Sequence, residues 1–376
     1  MVMTRTAARP WAAQEMASLA GPFPLIARPA LPCVPLETRV TQLVEILDVP
    51  LEKFQGTELF FATHALTRAA ALASECQRPQ EANSILRRHL SIYTEQATLS
   101  VPAALAMLEP ATDLARFNAM IGHPDRAVTW VTRLMSAVRT GSSVSIDRYA
   151  LPLDRVQGEL GEQQILRGWA WTRLLGDAVK ILSVAGRRSE AADLVIRNVA
   201  MSARMTESRQ AVIVDQLLED RPASARLYLE QAEPTHQWEV EVASCLAVLA
   251  AEPADRAAAA AAMLSTFQRS APTPGYSAYR ARYGVTVTRL AHAAGHSYAH
   301  IARQLATEAI ASGDAHAARA LRPVTGCLPR REVATLERNI TRAGLHGESL
   351  TGHHLSRLRV TTDRAITILL SLQTET

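Results

Sequence analysis

The chain has 376 residues, of which 48% are hydrophobic and 5% aromatic. This length can supply a large core, and a composition rich in alanine, leucine and arginine favours helices over strands, which prefer β-branched and aromatic residues. The formal net charge is only +4 and the basic residues are interspersed with acidic ones, which argues against a surface that coats nucleic acid. Nucleic acid is therefore not an expected partner.

Residues 1–35 are predicted to form an extended N-terminal arm, because six prolines prevent a continuous helix there. The arm is rich in apolar residues, so it is expected to dock either on its own protein or on a partner. Gln14 and Glu15 interrupt the apolar run that a secretory peptide requires, and no 18-residue apolar stretch follows. A cytoplasmic protein without membrane spans is expected.

From residue 36 to residue 345 the chain reads as consecutive amphipathic helices, with apolar positions recurring every three or four residues. Clear examples cover residues 58–75, 79–93, 125–138, 189–203 and 297–312. Glycines followed by polar residues separate several of them, which predicts helical hairpins with tight turns at Gly122, Gly186 and Gly313.

A small residue follows each of these turns at the same distance. Ala127, Ala191 and Ala318 lie five residues after the three glycines, and the pair Leu114–Ala115 precedes the first turn as Leu305–Ala306 precedes the third. This pattern resembles the tetratricopeptide repeat, in which small residues let paired helices pack closely. The resemblance implies an all-α fold, an α-solenoid of tetratricopeptide-like helical hairpins with a concave binding face.

The sequence lacks several common catalytic signatures, namely GxxxxGK[ST], GxGxxG, HExxH, GxSxG and DDxxD. Four widely separated cysteines without a CxxC pair indicate neither a zinc knuckle nor a disulfide framework. His292, His296 and His300 would share one face of a continuous helix, but Gly295 interrupts the run. No catalytic residue, metal site or cofactor is predicted.

The stretch that begins at Gly295 has a local likeness to the helix-turn-helix of DNA readers. Ala306, Thr307 and Glu308 replace the expected glycine turn, and Asp314 and His316 occupy the start of the following helix. Another helical hairpin is the favoured interpretation.

Arginine and tryptophan alternate in the stretch RGWAWTR, an arrangement that can stack on a ring or hold a peptide side chain. Trp169 and Trp171 lie about 200° apart on a helix, so one is expected in the core and the other exposed. The predicted ligand-binding residues are Arg167, Trp171, Arg173, Tyr149 and Asp215.

Residues 346–376 are predicted to form a capping or dimerisation helix. Leu355, Leu358, Thr362, Ala365, Leu369 and Leu372 recur with the three-four spacing of a helix-packing seam. Such a helix either folds back on the array or pairs with a second copy in a homodimer.

Taken with the arginine-rich composition of a GC-rich bacterium, these features predict a helical-repeat scaffold or regulatory sensor. It would bind a peptide or a protein partner on its concave face. The alternative is an enzyme of specialised metabolism whose active site lies between helices, recognisable by a pocket where carboxylates, histidines or arginines converge.

Overall fold

The computed structural model describes residues 9–48, 57–198, 201–347 and 349–374, and most of this part of the chain is helical. The prediction of an all-α fold is confirmed. The helices are α1 (Ala13–Ala20), α2 (Leu36–Glu45), α3 (Thr57–Glu75), α4 (Pro79–Ser91), α5 (Val101–Met120), α6 (Pro124–Thr140), α7 (Leu160–Val184), α8 (Arg188–Arg197), α9 (Glu207–Leu218), α10 (Pro222–Glu230), α11 (Gln237–Ala250), α12 (Arg256–Arg269), α13 (Ser277–Ala293), α14 (Ala299–Ser312), α15 (Ala315–Ala320), α16 (Arg330–Arg342) and α17 (Gly352–Thr374).

Short strands form two minimal sheets between α4 and α7. The strands are β1 (Leu99–Ser100), β2 (Val144–Ile146), β3 (Tyr149–Leu151) and β4 (Val156–Gln157). β1 pairs with β4 in parallel, while β2 and β3 form an antiparallel hairpin.

Contacts divide the chain into two compact units, each assembled from segments that are distant in sequence. The first unit contains the residues up to Cys33 together with Gly186–Ile340, and the second contains Val34–Ala185 together with Thr341–Thr376. The region predicted as one helical-repeat domain over residues 36–345 thus contributes helices to both units. The predicted domain limits at residues 35 and 345 stay predictions.

Three helical hairpins share one turn geometry, at Gln77–Arg78–Pro79, Gly122–His123–Pro124 and Asp220–Arg221–Pro222. The first residue of each turn has a positive φ, of 56°, 93° and 53° respectively. The N–H of the second residue bonds the carbonyl five residues earlier at 2.8 to 2.9 Å, which closes the preceding helix, and the proline begins the next helix. The predicted turns at Gly186 and Gly313 also have positive φ, of 78° and 63°.

A fully buried alanine lies five residues after the first residue of these turns. The alanines are Ala82, Ala127, Ala191, Ala225 and Ala318. Alanine at this position admits the backbone of the neighbouring helix at close range. The same small-residue spacing therefore occurs after Gln77 and Asp220, where no glycine marks the turn.

The N-terminal arm packs on the first unit, where α1 contacts α9, α11 and α13. The buried Gln210 side chain accepts a hydrogen bond from the Leu25 N–H at 2.7 Å and donates one to the Leu25 carbonyl at 2.8 Å. Farther along, the Cys33 N–H donates to Asp314 Oδ1 at 3.1 Å, and the Ala315 N–H donates to the Cys33 carbonyl at 3.0 Å. Docking on its own unit accounts for the apolar content of the arm.

The C-terminal helix α17 packs on α2, α3 and α4 of the second unit. Leu358, Thr362, Ala365 and Leu369 of the predicted seam are buried. Ion pairs flank this seam at Arg357–Glu37, Arg359–Glu81 and Arg88–Asp363. The helix thus covers its own unit, as the capping interpretation expects, and a homodimer through α17 stays a prediction.

Gly284 of α13 marks a close approach between helices in the first unit. A Cβ atom at this position would lie 2.5 Å from both Leu305 Cδ1 and Cδ2, and Leu305 is buried. We expect Gly284→Ala to lower the free energy of unfolding by about 1–3 kcal/mol, because the Leu305 side chain would have to move within a packed core. Urea denaturation followed by circular dichroism measures the change.

Gly168→Ala provides the control for that substitution. Gly168 lies within α7, and a Cβ there meets no atom within 4 Å. This substitution is expected to raise the free energy of unfolding by about 0.5–1 kcal/mol, because alanine loses less conformational entropy in a helix than glycine does. Equal effects of the two substitutions would contradict the close approach at Gly284.

Candidate functional site

One face of α5 forms the floor of a groove in the second unit. Pro102, Glu109, Asp113, Arg116 and Met120 line cavities along this face, and their spacing of three, four or seven residues places them on one side of the helix. The helix rises 1.5 Å per residue, so the face from Pro102 to Met120 is about 27 Å long. Helices α3 and α7 both pack against α5, and we call this surface the α3–α5–α7 groove.

The larger of two cavities in the groove has a volume of about 310 Å³. We call it the Trp169 pocket; its lining residues are Leu59, Phe60, Thr63 and His64 of α3, Pro102, Leu105, Ala106 and Glu109 of α5, and Trp169 of α7. The second cavity, of about 180 Å³, lies farther along α5 and is lined by α3, α4 and α5, with Asp113, Arg116 and Met120 among its residues.

Aromatic groups form the wall of the Trp169 pocket on α3. The Phe60 ring is 63% exposed and stacks on the His64 ring, with ring centres 5.8 Å apart. Burial, assisted by the charge of Arg68, lowers the pKa of His64, so its imidazole is neutral at neutral pH. The pocket therefore presents flat apolar and aromatic surface without a positive charge from His64.

Glu109 contributes a carboxylate to this pocket. Burial and the neighbouring Asp113 raise the pKa of Glu109, while the charge of Arg173 and a hydrogen bond from Thr67 Oγ1 at 3.5 Å oppose the increase. A carboxylate held among apolar groups gains from a cation that enters its pocket, because the cation restores the interactions lost with water.

Beyond Glu109, a cluster of charged residues crosses from α5 to α7. The buried Asp177 carboxylate accepts hydrogen bonds from Arg116 Nη2 at 2.7 Å and from Arg116 Nε at 3.1 Å. Arg116 Nη1 also donates to Asp113 at 2.7 Å, and Arg173 Nε lies 3.5 Å from Asp177. Burial raises the pKa of Asp113, against the opposing charges of Arg116 and Arg173. The cluster fixes the two helices against each other beside the pocket.

Three of the predicted ligand-binding residues lie on α7. Arg173 belongs to the groove, one turn after Trp169 and one turn before Asp177 on the same face of the helix. Arg167 is exposed and Trp171 is half-buried. Trp169 and Trp171 were expected to divide between core and surface, but both are half-buried, and Trp169 is the one that lines the pocket.

The other two predicted residues lie outside the groove. Tyr149 is buried in β3, where its hydroxyl accepts a hydrogen bond from Arg148 at 3.1 Å. Asp215 belongs to α9 of the first unit, is buried, and accepts a hydrogen bond from Gln216 at 3.2 Å. Of the five predicted ligand-binding residues, the structure therefore places Arg173 alone in the groove, in the charged cluster with Arg116 and Asp177.

Sequence reasoning did not identify Phe60 and Glu109 as site residues. Each lies on a helix whose pattern is ordinary for a buried amphipathic segment, and their proximity to Trp169 arises only from the packing of α3 and α7 on α5. The available signal was the four-residue spacing of Phe60 and His64, which places two rings on one helix face.

His292, His296 and His300 would have shared one face of a continuous helix. The turn at Gly295, which has a φ of 79°, separates the first of them from the other two. His292 lies on α13 and His300 on α14, so they do not share one helix. The segment with a likeness to DNA readers forms α14 and the six-residue α15, followed by the 3-10 helix Arg322–Cys327.

Within the described residues, no helix combines the length and apolar character needed to cross a bilayer. No protein-family model, curated protein or solved structure matches this chain.

Proposed function

We propose that this protein binds a peptide or a segment of a protein partner in the α3–α5–α7 groove. The proposal includes one specificity element, an arginine or lysine side chain of the partner that enters the Trp169 pocket. The observation that carries it is a helix face about 27 Å long that joins two cavities, one of which holds a carboxylate among aromatic groups.

The length of the groove favours a chain over a compact small molecule. An extended peptide advances about 3.3–3.6 Å per residue, so about eight residues span this face. Exposed apolar groups are available along it, with Phe60 63% exposed at one end and Met120 58% exposed at the other. A peptide would cover both.

The chemistry of the Trp169 pocket favours a basic side chain. Glu109 can accept charge-assisted hydrogen bonds from a guanidinium or ammonium group. The rings of Trp169 and Phe60 can contact the aliphatic stem of that side chain and attract its charge through the ring face. A partner's acidic side chain would instead meet the negative charge of Glu109.

Peptide-array binding tests the proposal. We expect arrayed decapeptides bound by the protein to be enriched in arginine or lysine at one position, and we expect Glu109→Gln to weaken the best peptide about tenfold, since a hydrogen bond to a charged group is lost. Glu95→Gln is the matched control, because Glu95 is exposed and lies outside both cavities of the groove. Peptides that bind the Glu109→Gln variant and the unmodified protein equally well would refute the assignment of Glu109.

Peptide affinity should also depend on pH. Protonation removes the charge of Glu109, and its pKa is raised above the ordinary 4.5, so binding of a basic peptide is expected to weaken as the pH falls through this raised value. Titration calorimetry at decreasing pH measures the effect. The Glu109→Gln variant should lack this component, and an identical pH profile in both proteins would exclude Glu109 as its source.

The proposed role is that of a helical-repeat scaffold or regulatory sensor with tetratricopeptide-like architecture. Within the second unit, α5 packs on its hairpin partner α6 and on α3 and α7, which supports the sequential stacking of a solenoid. The cytoplasm of a GC-rich bacterium stays the proposed location. Burial of the Cys33, Cys76 and Cys245 side chains is compatible with that reducing compartment.

A homodimer through α17 is part of the same proposal. The outward side of this helix keeps Val360 65% exposed and Leu370 48% exposed, which supports a further contact there. Native mass spectrometry measures the subunit count directly. A monomer at micromolar concentration would remove the dimer and leave the peptide groove unaffected.

An enzyme with an active site between helices is the alternative. Glu109 and Asp113 have raised pKa values in one groove, which is the behaviour expected of general acids and bases. Incubating the protein with a metabolite extract of its host and following the mixture by mass spectrometry tests this alternative. Substrate loss that disappears in the Glu109→Gln variant would favour catalysis.

A further inference from the structure

Another cavity, distinct from the two in the groove, has a volume of about 420 Å³. It lies in the first unit between α11, the end of α12 and the start of α13. We call it the Glu241 pocket; the residues that matter for its chemistry are Trp238, Glu241, Arg269, Tyr276, Tyr279 and Arg280. Its volume is in the range of cavities that hold small ligands. It is separate from the α3–α5–α7 groove in both sequence and unit.

Glu241 is 97% buried, yet among the described residues the donors to its carboxylate are hydroxyl groups alone. Tyr279 donates at 2.9 Å to one carboxylate oxygen and Ser270 donates to the other. Across the described residues, no arginine, lysine or histidine forms an ion pair with Glu241. Burial, reinforced by the charge of Glu241, raises the pKa of Tyr279 well above its ordinary value, so the phenol stays protonated as a donor. A carboxylate carries about four acceptor positions, so two remain for a ligand.

Arg280 supplies the opposite charge from a fixed position. The residue is 94% buried, its Cζ lies 3.9 Å from the centre of the Phe267 ring, and its Nε donates to Glu308 at 3.1 Å. The Nη1 atom has no hydrogen-bond partner among the described residues. Because Glu308 already pairs with this guanidinium, Arg280 brings to the cavity lining one unused donor, at Nη1, and only part of its positive charge.

The remaining lining groups complete a pattern of separated charges and aromatic surface. Arg269 is exposed and adds a second positive charge, while Trp238 and Tyr276 are half-buried and offer ring faces. A ligand with a single positive charge would gain from Glu241 and the rings but would be opposed by Arg269. Arg280 would oppose it less strongly, because Glu308 partly compensates its charge. A ligand with a single negative charge would meet the buried Glu241 carboxylate.

We infer that the Glu241 pocket binds a small zwitterion of the α-amino-acid class. The ammonium group of the ligand is held by Glu241 and the aromatic rings, and its carboxylate is held on the side of Arg269 and Arg280. An aromatic or long apolar side chain fits the remaining surface beside Trp238 and Tyr276. This site is independent of the peptide groove.

Isothermal titration of the full chain with the twenty free amino acids tests this inference. The tightest ligand is then compared with its decarboxylated amine and with its deaminated acid, each of which carries one of the two charges. We expect the amino acid to bind at least about tenfold more tightly than either analogue, because each analogue loses one charge-assisted contact.

Two variants assign the two ends of the ligand. Glu241→Gln is expected to weaken binding of the amino acid about tenfold but not to weaken the deaminated acid, which escapes repulsion by the carboxylate; Arg269→Gln should weaken the amino acid but not the amine, which escapes repulsion by the guanidinium. Arg269 is exposed, so its replacement is expected to leave the fold intact. Glu230→Gln is the control, because Glu230 is exposed and lies outside the pocket.

Absence of binding by every amino acid would overturn the inference, and so would an amine that binds as tightly as the amino acid. Glu109→Gln should leave amino-acid binding unchanged, so failure at this pocket and failure of the peptide groove give different results.

Discussion

Replacing Asp177 with alanine is expected to lower the free energy of unfolding by about 2–3 kcal/mol. Removing one partner of a buried ion pair costs about 3–5 kcal/mol, because the remaining charge has lost its compensation. Asp177 is 98% buried at its side chain, whereas Arg116 is 34% exposed and retains Asp113, so water and the second carboxylate reduce the cost. The expected loss of stability is therefore smaller than the about 3–5 kcal/mol typical of a fully buried pair.

Urea denaturation followed by fluorescence and circular dichroism measures this change. Asp363→Ala is the matched control in the same unit, because Asp363 pairs with Arg88 while its side chain is 62% exposed. Exposed pairs contribute about 0.2–1 kcal/mol, so the control should change stability little. If the two substitutions destabilised the protein equally, the ion pair from α5 to α7 would contribute no more to stability than an exposed pair does.

Gln210→Ala is expected to have a comparable effect in the first unit, with a loss of about 2–4 kcal/mol. The substitution removes the side chain that bonds both the N–H and the carbonyl of Leu25, and it also frees the Met205 carbonyl. Each buried polar group left without a partner costs about 1–3 kcal/mol. Gln268→Ala, at an exposed position on α12, is the control.

Release of the arm gives this second prediction an independent readout. Arg28 lies three residues after Leu25 and forms an ion pair with Glu207 at 2.8 Å. Pro29 blocks trypsin at Arg28, so thermolysin is the suitable protease, and its cleavage before Ile26 should become faster in the Gln210→Ala variant than in the control, because the backbone there is less firmly held. An unchanged cleavage rate, together with lowered stability, would show that Gln210 acts on the core without fixing the arm.

The helices could be predicted from sequence because their apolar residues recur with the helical period, and each glycine predicted as a turn has the positive φ that the turn requires. Gln77 and Asp220 were missed, since a residue with a side chain gives no direct sign of a left-handed conformation. The proline two positions later and the alanine five positions later mark those turns equally well.

The candidate site was less accessible to prediction. Arg173 and its tryptophan neighbours could be identified because they are adjacent in sequence, whereas Glu109 approaches Trp169 only through the packing of α5 on α7. The division into two discontinuous units has no local signature, so the sequence offered no reason to place Asp215 apart from Arg173. Glu241 likewise lies on α11, and the hydrophobic pattern of that helix does not distinguish this glutamate from others in the sequence.

The interleaved order of the two units has a consequence for synthesis on the ribosome. The hydrogen bonds between Leu25 and Gln210 cannot form until Gln210 has been synthesised, 185 residues later. At ordinary elongation rates this is a delay of about 10–40 s. During that interval the segment Val34–Ala185 of the second unit emerges, and that unit in turn lacks α17 until the first unit has been synthesised. Apolar groups of the arm thus lack their native contacts while the chain grows, and such transiently exposed groups favour aggregation until the rest of their unit has been synthesised.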